Sequence, residues 1–163
     1  MALGTMKELT ESKTVGMGQI AVAQAPARLA SVLGSCVGVA LFHPRLRLGC
    51  LAHVVLPRSN GVAATPGKFA DTAIPHMLQL LEKQGANRAG LVVKICGGAC
   101  MFNTTGPLQI GDANIEAVTA VLAAEGLRVA ARDVGGTVGR RITMDCDSGQ
   151  LTIDTAGNHS RIL

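Results

Sequence analysis

The sequence predicts an α+β domain in which a largely antiparallel β core is layered against two main helices. Three observations carry this. Short apolar or alternating runs of strand length recur along the chain, only two stretches space their apolar residues helically, and one pair of strand-like runs flanks a turn only a few residues long. Parallel neighbours need a crossover of about a dozen residues or more, so short connections imply antiparallel pairing. Residues 1–163 read as one domain, with the polar stretch 1–13 a flexible start.

Strands are expected near residues 15–23, 29–33, 36–42 and 47–56, where Val, Leu, Ile and Ala dominate between turn signals. The first helix is expected over 67–84, with Ile74, Met77, Leu78 and Leu81 on one face and Gly85 as its stop. Pro75 should kink that helix or mark a late start. LVVKIC at 91–96 reads as a buried strand closed by the Gly97-Gly98 turn. The second helix is expected over 112–125. Ile115, Val118, Val121 and Leu122 form its apolar face, Gly126 ends it, and Asp112 suits its positive N-terminal end. Runs at 127–133, 140–146 and 150–155 complete the strands, with Gly135-Gly136 in a turn.

Composition narrows the function classes. With 48% hydrophobic residues the chain can bury a core, built from aliphatic side chains because Phe42, Phe69 and Phe102 are the only aromatics. Fifteen Lys and Arg against 11 Asp and Glu give a net charge of +4. The basic residues form no long run and stacking aromatics are scarce, which argues against nucleic-acid binding. No apolar run approaches the roughly 18 residues of a membrane span, and the start lacks a secretory h-region, so a cytoplasmic protein without membrane insertion is expected. Five cysteines are an odd number for a disulfide set. Cys96, Cys100 and Cys146 could hold a metal, but their spacing departs from common zinc knuckles, and packing is the simpler reading, with no metal expected.

The pair that points to chemistry is Cys36 and His53. CVGVALF (36–42) and RLGCLAH (47–53) flank a turn at His43-Pro44-Arg45-Leu46. With Phe42 opposite Arg47, Cys36 stands opposite His53, and Cβ atoms of opposed residues lie roughly 4.5–5.5 Å apart. A Cys beside a His can form a thiolate–imidazolium pair, the activated nucleophile of covalent hydrolases. Burial as a core thiol and a hydrogen-bonded core histidine is the alternative, and a one-residue slip would separate the two side chains.

LGSCVGVALFHP followed by LAHVVLP resembles the CheD family of chemoreceptor glutamine deamidases, and TPGKFADTAI, VKICGGACMFN, QIGDANIEAV, DVGGTVGRRI and SGQLTI extend the resemblance over about residues 14–154. The resemblance implies Cys36 as nucleophile and His53 as its base, and a fold similar to the cysteine deamidase domains of cytotoxic necrotizing factor toxins. The family's third catalytic member is a Thr six residues before the nucleophile; here that position is Ala30. Ser31 is the nearest hydroxyl, although neighbours in an extended segment point to opposite faces. Gly34 and Ser35 are candidates for an oxyanion hole, with a plain turn as the alternative.

The implied activity is deamidation of specific glutamines on methyl-accepting chemotaxis receptors through a thioester, without a cofactor and with methyl-ester hydrolysis as a minor reaction. The alternative is a weak or inactive adaptor that binds receptors or a CheC-type phosphatase. Arg140 and Arg141 could dock an acidic receptor helix or form a solvated strand end, and Phe102 could anchor a partner or pack in the core.

Overall fold

A computed structural model describes residues 11–60, 63–101 and 109–163. Among the described residues ten strands form two sheets: β1 (Ser12–Thr14), β2 (Ile20–Gln24), β3 (Arg28–Leu33), β4 (Val37–His43), β5 (Leu48–Val54), β6 (Val92–Gly97), β7 (Val129–Val134), β8 (Arg140–Asp145), β9 (Leu151–Thr155) and β10 (His159–Ile162). One sheet has the order β1-β3-β8-β9-β10 and the other β2-β5-β4-β6-β7. Pairing is antiparallel except for β1 with β3 and β6 with β7. The second exception follows from the chain path, since α2 (Ile110–Ala124) supplies the crossover between β6 and β7.

Side-chain alternation sorts the residues into three layers. On β4 and β5, Val37, Val39, Leu41, Cys50, Ala52 and Val54 pack against α2 and α1 (Ala70–Lys83). Their alternates Ala40, Phe42 and Leu51 face the other sheet, meeting Leu29, Leu33, Ile142, Met144 and Ile153. Helices, sheet and sheet are therefore stacked, and the α+β reading holds. Each buried Leu or Ile contributes about 1.5–3 kcal/mol to the stack.

Several details differ from the sequence expectation. The helix runs through Pro75 and begins at Ala70, after a short 3-10 turn at Pro66–Lys68. Residues 15–23 are not one strand: Val15 stays beside β3, its N–H donating to Ala30 O, and β2 begins only at Ile20 in the other sheet. Gly16 and Gly18, the latter at φ 75°, make the break. β1 starts within the stretch whose polarity suggested a flexible start, and β10 was not expected; both are exposed edge strands. The β4–β5 hairpin is also offset. His43 pairs with Leu48 around a four-residue loop, Pro44–Arg47, that closes with Arg47 at φ 48°. Phe42 consequently faces Gly49 rather than Arg47, and His53 faces Gly38 rather than Cys36. An offset of two residues preserves which face each side chain occupies, whereas an offset of one would have reversed it.

Candidate active site

Cys36 lies in the loop Gly34–Cys36, where the chain leaves β3 in one sheet for β4 in the other. It is 8% exposed and belongs to the layer between the sheets. Three consecutive carbonyls of this loop are held from one side: Gly34 O accepts from Ala99 N (2.9 Å), Ser35 O from Asn114 Nδ2 (3.0 Å) and Cys36 O from Gly98 N (2.8 Å). Among the described residues, no acceptor takes the backbone N–H of Ser35 or Cys36. Gly98 N and Ala99 N come from the turn that closes β6, where Gly97 and Gly98 sit at φ 103° and 69°, a region costly to any residue with a Cβ, and Asn114 Nδ2 comes from α2.

His53, 4% exposed on β5, points to the same layer by alternation, diagonal to Cys36 and two positions from it in register. Diagonal Cα atoms in an antiparallel pair are roughly 7–8 Å apart. The imidazole is held by Nδ1, which lies 2.8 Å from Ser31 Oγ and 3.3 Å from Val15 O. Ser31 donates its only hydroxyl proton to Val15 O at 2.6 Å, so its oxygen is left to accept. Both neighbours of Nδ1 are then acceptors, which places the proton on Nδ1 and leaves Nε2 as the free base.

Burial acts on both groups against charge. It pushes the Cys36 thiol above its usual pKa and the His53 imidazole below its own, the latter opposed by the hydrogen bond to Val15 O. A standing thiolate–imidazolium pair is therefore disfavoured, and the resting pair is neutral thiol and neutral imidazole. The other thiols differ in degree: Cys96 is pushed up to about 12 and Cys146 to about 11 by burial, and Cys50 further still. Cys100 is half-buried, with its thiol on Gln109 Oε1. Among the described residues, no three His, Cys, Asp or Glu side chains gather to hold a metal.

The sequence-predicted residues separate into groups. Ser31 meets His53; Ala30, one residue away, points to the opposite face of β3, where alternation puts it beside Thr143. Arg140 is turned inward rather than forming a solvated strand end. It is 7% exposed, donating from Nε to Asp133 (2.8 Å) and from Nη2 to Gly135 O (2.6 Å), because Asp133 and the bend at Gly135-Gly136 draw its guanidinium inward. Arg161 holds the other Asp133 oxygen, and these partners keep that carboxyl below its usual range. Arg141 is exposed and lines a groove of about 500 Å³ with Val32, Gly34, Met101 and Asp154. Phe102 lies outside the described residues.

Two participants were missed. The Val15 carbonyl carries no signal in its residue type. Asn114 did carry one: it is a polar residue in the stripe formed by Gly111, Ala117, Val118 and Leu122 on the buried side of α2.

A family model described as CheD chemotactic sensory transduction matches residues 55–155. The chain is 43% identical over 141 residues to the probable chemoreceptor glutamine deamidase CheD of Methanococcus vannielii, covering 85% of this chain and 92% of that protein. It is 38% identical over 151 residues to the chemoreceptor glutamine deamidase CheD of Thermotoga maritima, covering 92% and 96%. A match to 85% of 163 residues leaves out about 24, fewer than the 35 that precede Cys36, so an unbroken match spans Cys36 and His53. The Bacillus licheniformis hypothetical protein YfiH aligns with 70% of this chain and 49% of its own at a TM-score of 0.48 and 16% identity, too slight a likeness to carry an argument.

Proposed function

The chain belongs to the CheD family, and from that membership we propose that it is a protein-glutamine deamidase acting on chemotaxis receptors, with Cys36 as nucleophile and His53 as base. The observation that supports this most directly is the fixed Nδ1–H of His53, which leaves Nε2 unprotonated on the face that Cys36 shares.

The steps follow from neutral resting groups. His53 Nε2 takes the Cys36 proton as sulfur attacks the glutamine carboxamide carbon. The oxygen that gains charge meets the free N–H groups of Ser35 and Cys36, which the pinned carbonyls hold in place before substrate arrives. The His53 imidazolium returns its proton to the departing nitrogen and ammonia leaves a thioester. His53 then activates water against the thioester, giving the glutamate side chain and the Cys36 thiol. Ser31 steadies the imidazole throughout.

The same thioester forms from a glutamate methyl ester with methanol as leaving group, so slow methylesterase activity accompanies deamidation in this proposal. The receptor segment docks beside Gly34 in the groove of Val32 and Met101, with Arg141 meeting acidic residues of the partner. Binding of a CheC-type phosphatase rests on the family resemblance alone. None of the described helices is long and apolar enough to cross a membrane, in keeping with action on the cytoplasmic region of receptors.

Peptide mass spectrometry of a receptor cytoplasmic fragment, incubated with the protein or with Cys36→Ser, tests the proposal. Glutamine converted to glutamate by the wild type alone is expected. Binding without conversion would overturn it in favour of an adaptor.

A further inference from the structure

The Asn114 side chain is fully buried, and its Nδ2 donates to two carbonyls, Ser35 O at 3.0 Å and Val55 O at 2.9 Å. Ser35 immediately precedes Cys36, and Val55 follows His53 by two residues. One amide nitrogen on α2 thus spans the loop that carries the nucleophile and the residue that directly follows β5, the strand that carries the base. Its own oxygen, Oδ1, has no partner among the described residues, an arrangement a core normally avoids. The side chain uses both donors and leaves its acceptor idle, so the two carbonyls are what the position serves.

The backbone of α2 supports the same link. A Cβ at Gly111 would come within 2.5 Å of Gly98 O and 2.7 Å of Ala99 O, so the first turn of the helix is seated on the turn that holds Gly34 and Cys36. Aspartate has the same shape as asparagine but would set carboxylate oxygens against two carbonyls. Leucine would leave both carbonyls unpaired.

We propose that Asn114 is a positioning residue for the deamidation, setting the spacing between the Cys36 loop and His53 through the carbonyls of Ser35 and Val55. This rests on the Cys36–His53 reading above. Asn114 is buried and does not touch substrate, so its loss should lower kcat and leave KM nearly unchanged.

The test compares wild type, Asn114→Asp and Asn114→Ala, with turnover expressed per folded, titratable Cys36. A fall in kcat of about tenfold or more with KM within about twofold is expected. Wild-type kcat per titrated Cys36 in both variants would overturn the proposal, since a purely structural role would reduce only the folded fraction. A second measurement needs no substrate: alkylation of Cys36 by iodoacetamide, with and without His53→Ala. In the wild-type background His53→Ala should slow alkylation; in the Asn114→Ala background it should change the rate less than twofold, because the two groups are no longer held in register. Equal slowing in both backgrounds would sink the proposal. A wild type that releases no ammonia but shows this loss of coupling would refute the deamidase reading and leave the role of Asn114 standing.

Discussion

Ser31 Oγ lies 2.8 Å from His53 Nδ1, a hydrogen bond that joins one sheet to the other across the buried layer containing Cys36. It puts a hydroxyl on the imidazole one residue from Ala30, the position where the family resemblance implies a Thr. It also explains how adjacent positions can differ so sharply, since Ala30 is turned to the far face of β3.

Ser31→Ala should therefore lower the rate of ammonia release by about two- to tenfold, the effect of one net hydrogen bond of about 0.5–1.5 kcal/mol. Ala30→Thr should leave it within about twofold, because its hydroxyl cannot reach the imidazole. A faster Ala30→Thr enzyme would contradict the register of β3.

The pH dependence follows from the direction of the His53 shift. With its folded-state pKa lowered by burial, His53 stays an unprotonated base on the acid side of the ordinary imidazole value of about 6.5. The acid limb of kcat/KM should consequently lie below that value. Stability carries the same sign: the unfolded chain takes up the proton first, so the contribution is complete above about 6.5 and is lost as pH falls towards the lower folded value. Urea titrations at a series of pH values should show wild type losing stability over this window and His53→Gln losing less.

Much of this was legible in the sequence where burial imposed a pattern. The strands of the inner layers and both helices announce themselves by apolar periodicity. β1 and β10 do not, because exposed edge strands such as Ser12–Thr14 and His159–Ile162 need no apolar alternation. The hairpin register was misjudged by two residues because turn length alone does not say which residue adopts positive φ, here Arg47. The error was harmless to the site, since it preserved face parity. The burial of Arg140 was not legible for another reason: the carboxylate that draws it inward, Asp133, lies on β7, and the sequence does not reveal that contact.

Arg140 and Arg141 should separate experimentally. Arg140→Ala removes a donor from Gly135 O and a partner from Asp133, and should cost about 1–3 kcal/mol in denaturant titration. Arg141→Ala should stay within about 0.5 kcal/mol of wild type, as an exposed substitution. Arg141→Glu should instead raise KM for an acidic receptor fragment, and more so at low salt.

The thiols give the last prediction. Adjacency to an imidazole suggests that Cys36 would outpace all four others, but the structure makes Cys100 a competitor, because it is half-buried while Cys36 is 8% exposed with its thiol pKa raised. Labelling with a small alkylating agent under native conditions should therefore find Cys36 and Cys100 and spare Cys50, Cys96 and Cys146, which are fully buried and hard to ionise. Reactivity alone will not identify the nucleophile; dependence on His53 will. His53→Ala should slow labelling at Cys36 by removing the base that accepts its proton, and should leave Cys100 unchanged because that thiol is bonded to Gln109 instead. Mass spectrometric mapping at several times resolves the two rates. Equal slowing at both sites would point to a global change in the variant, and no slowing at Cys36 would show that the diagonal offset between the two residues is too wide for proton transfer without substrate in place.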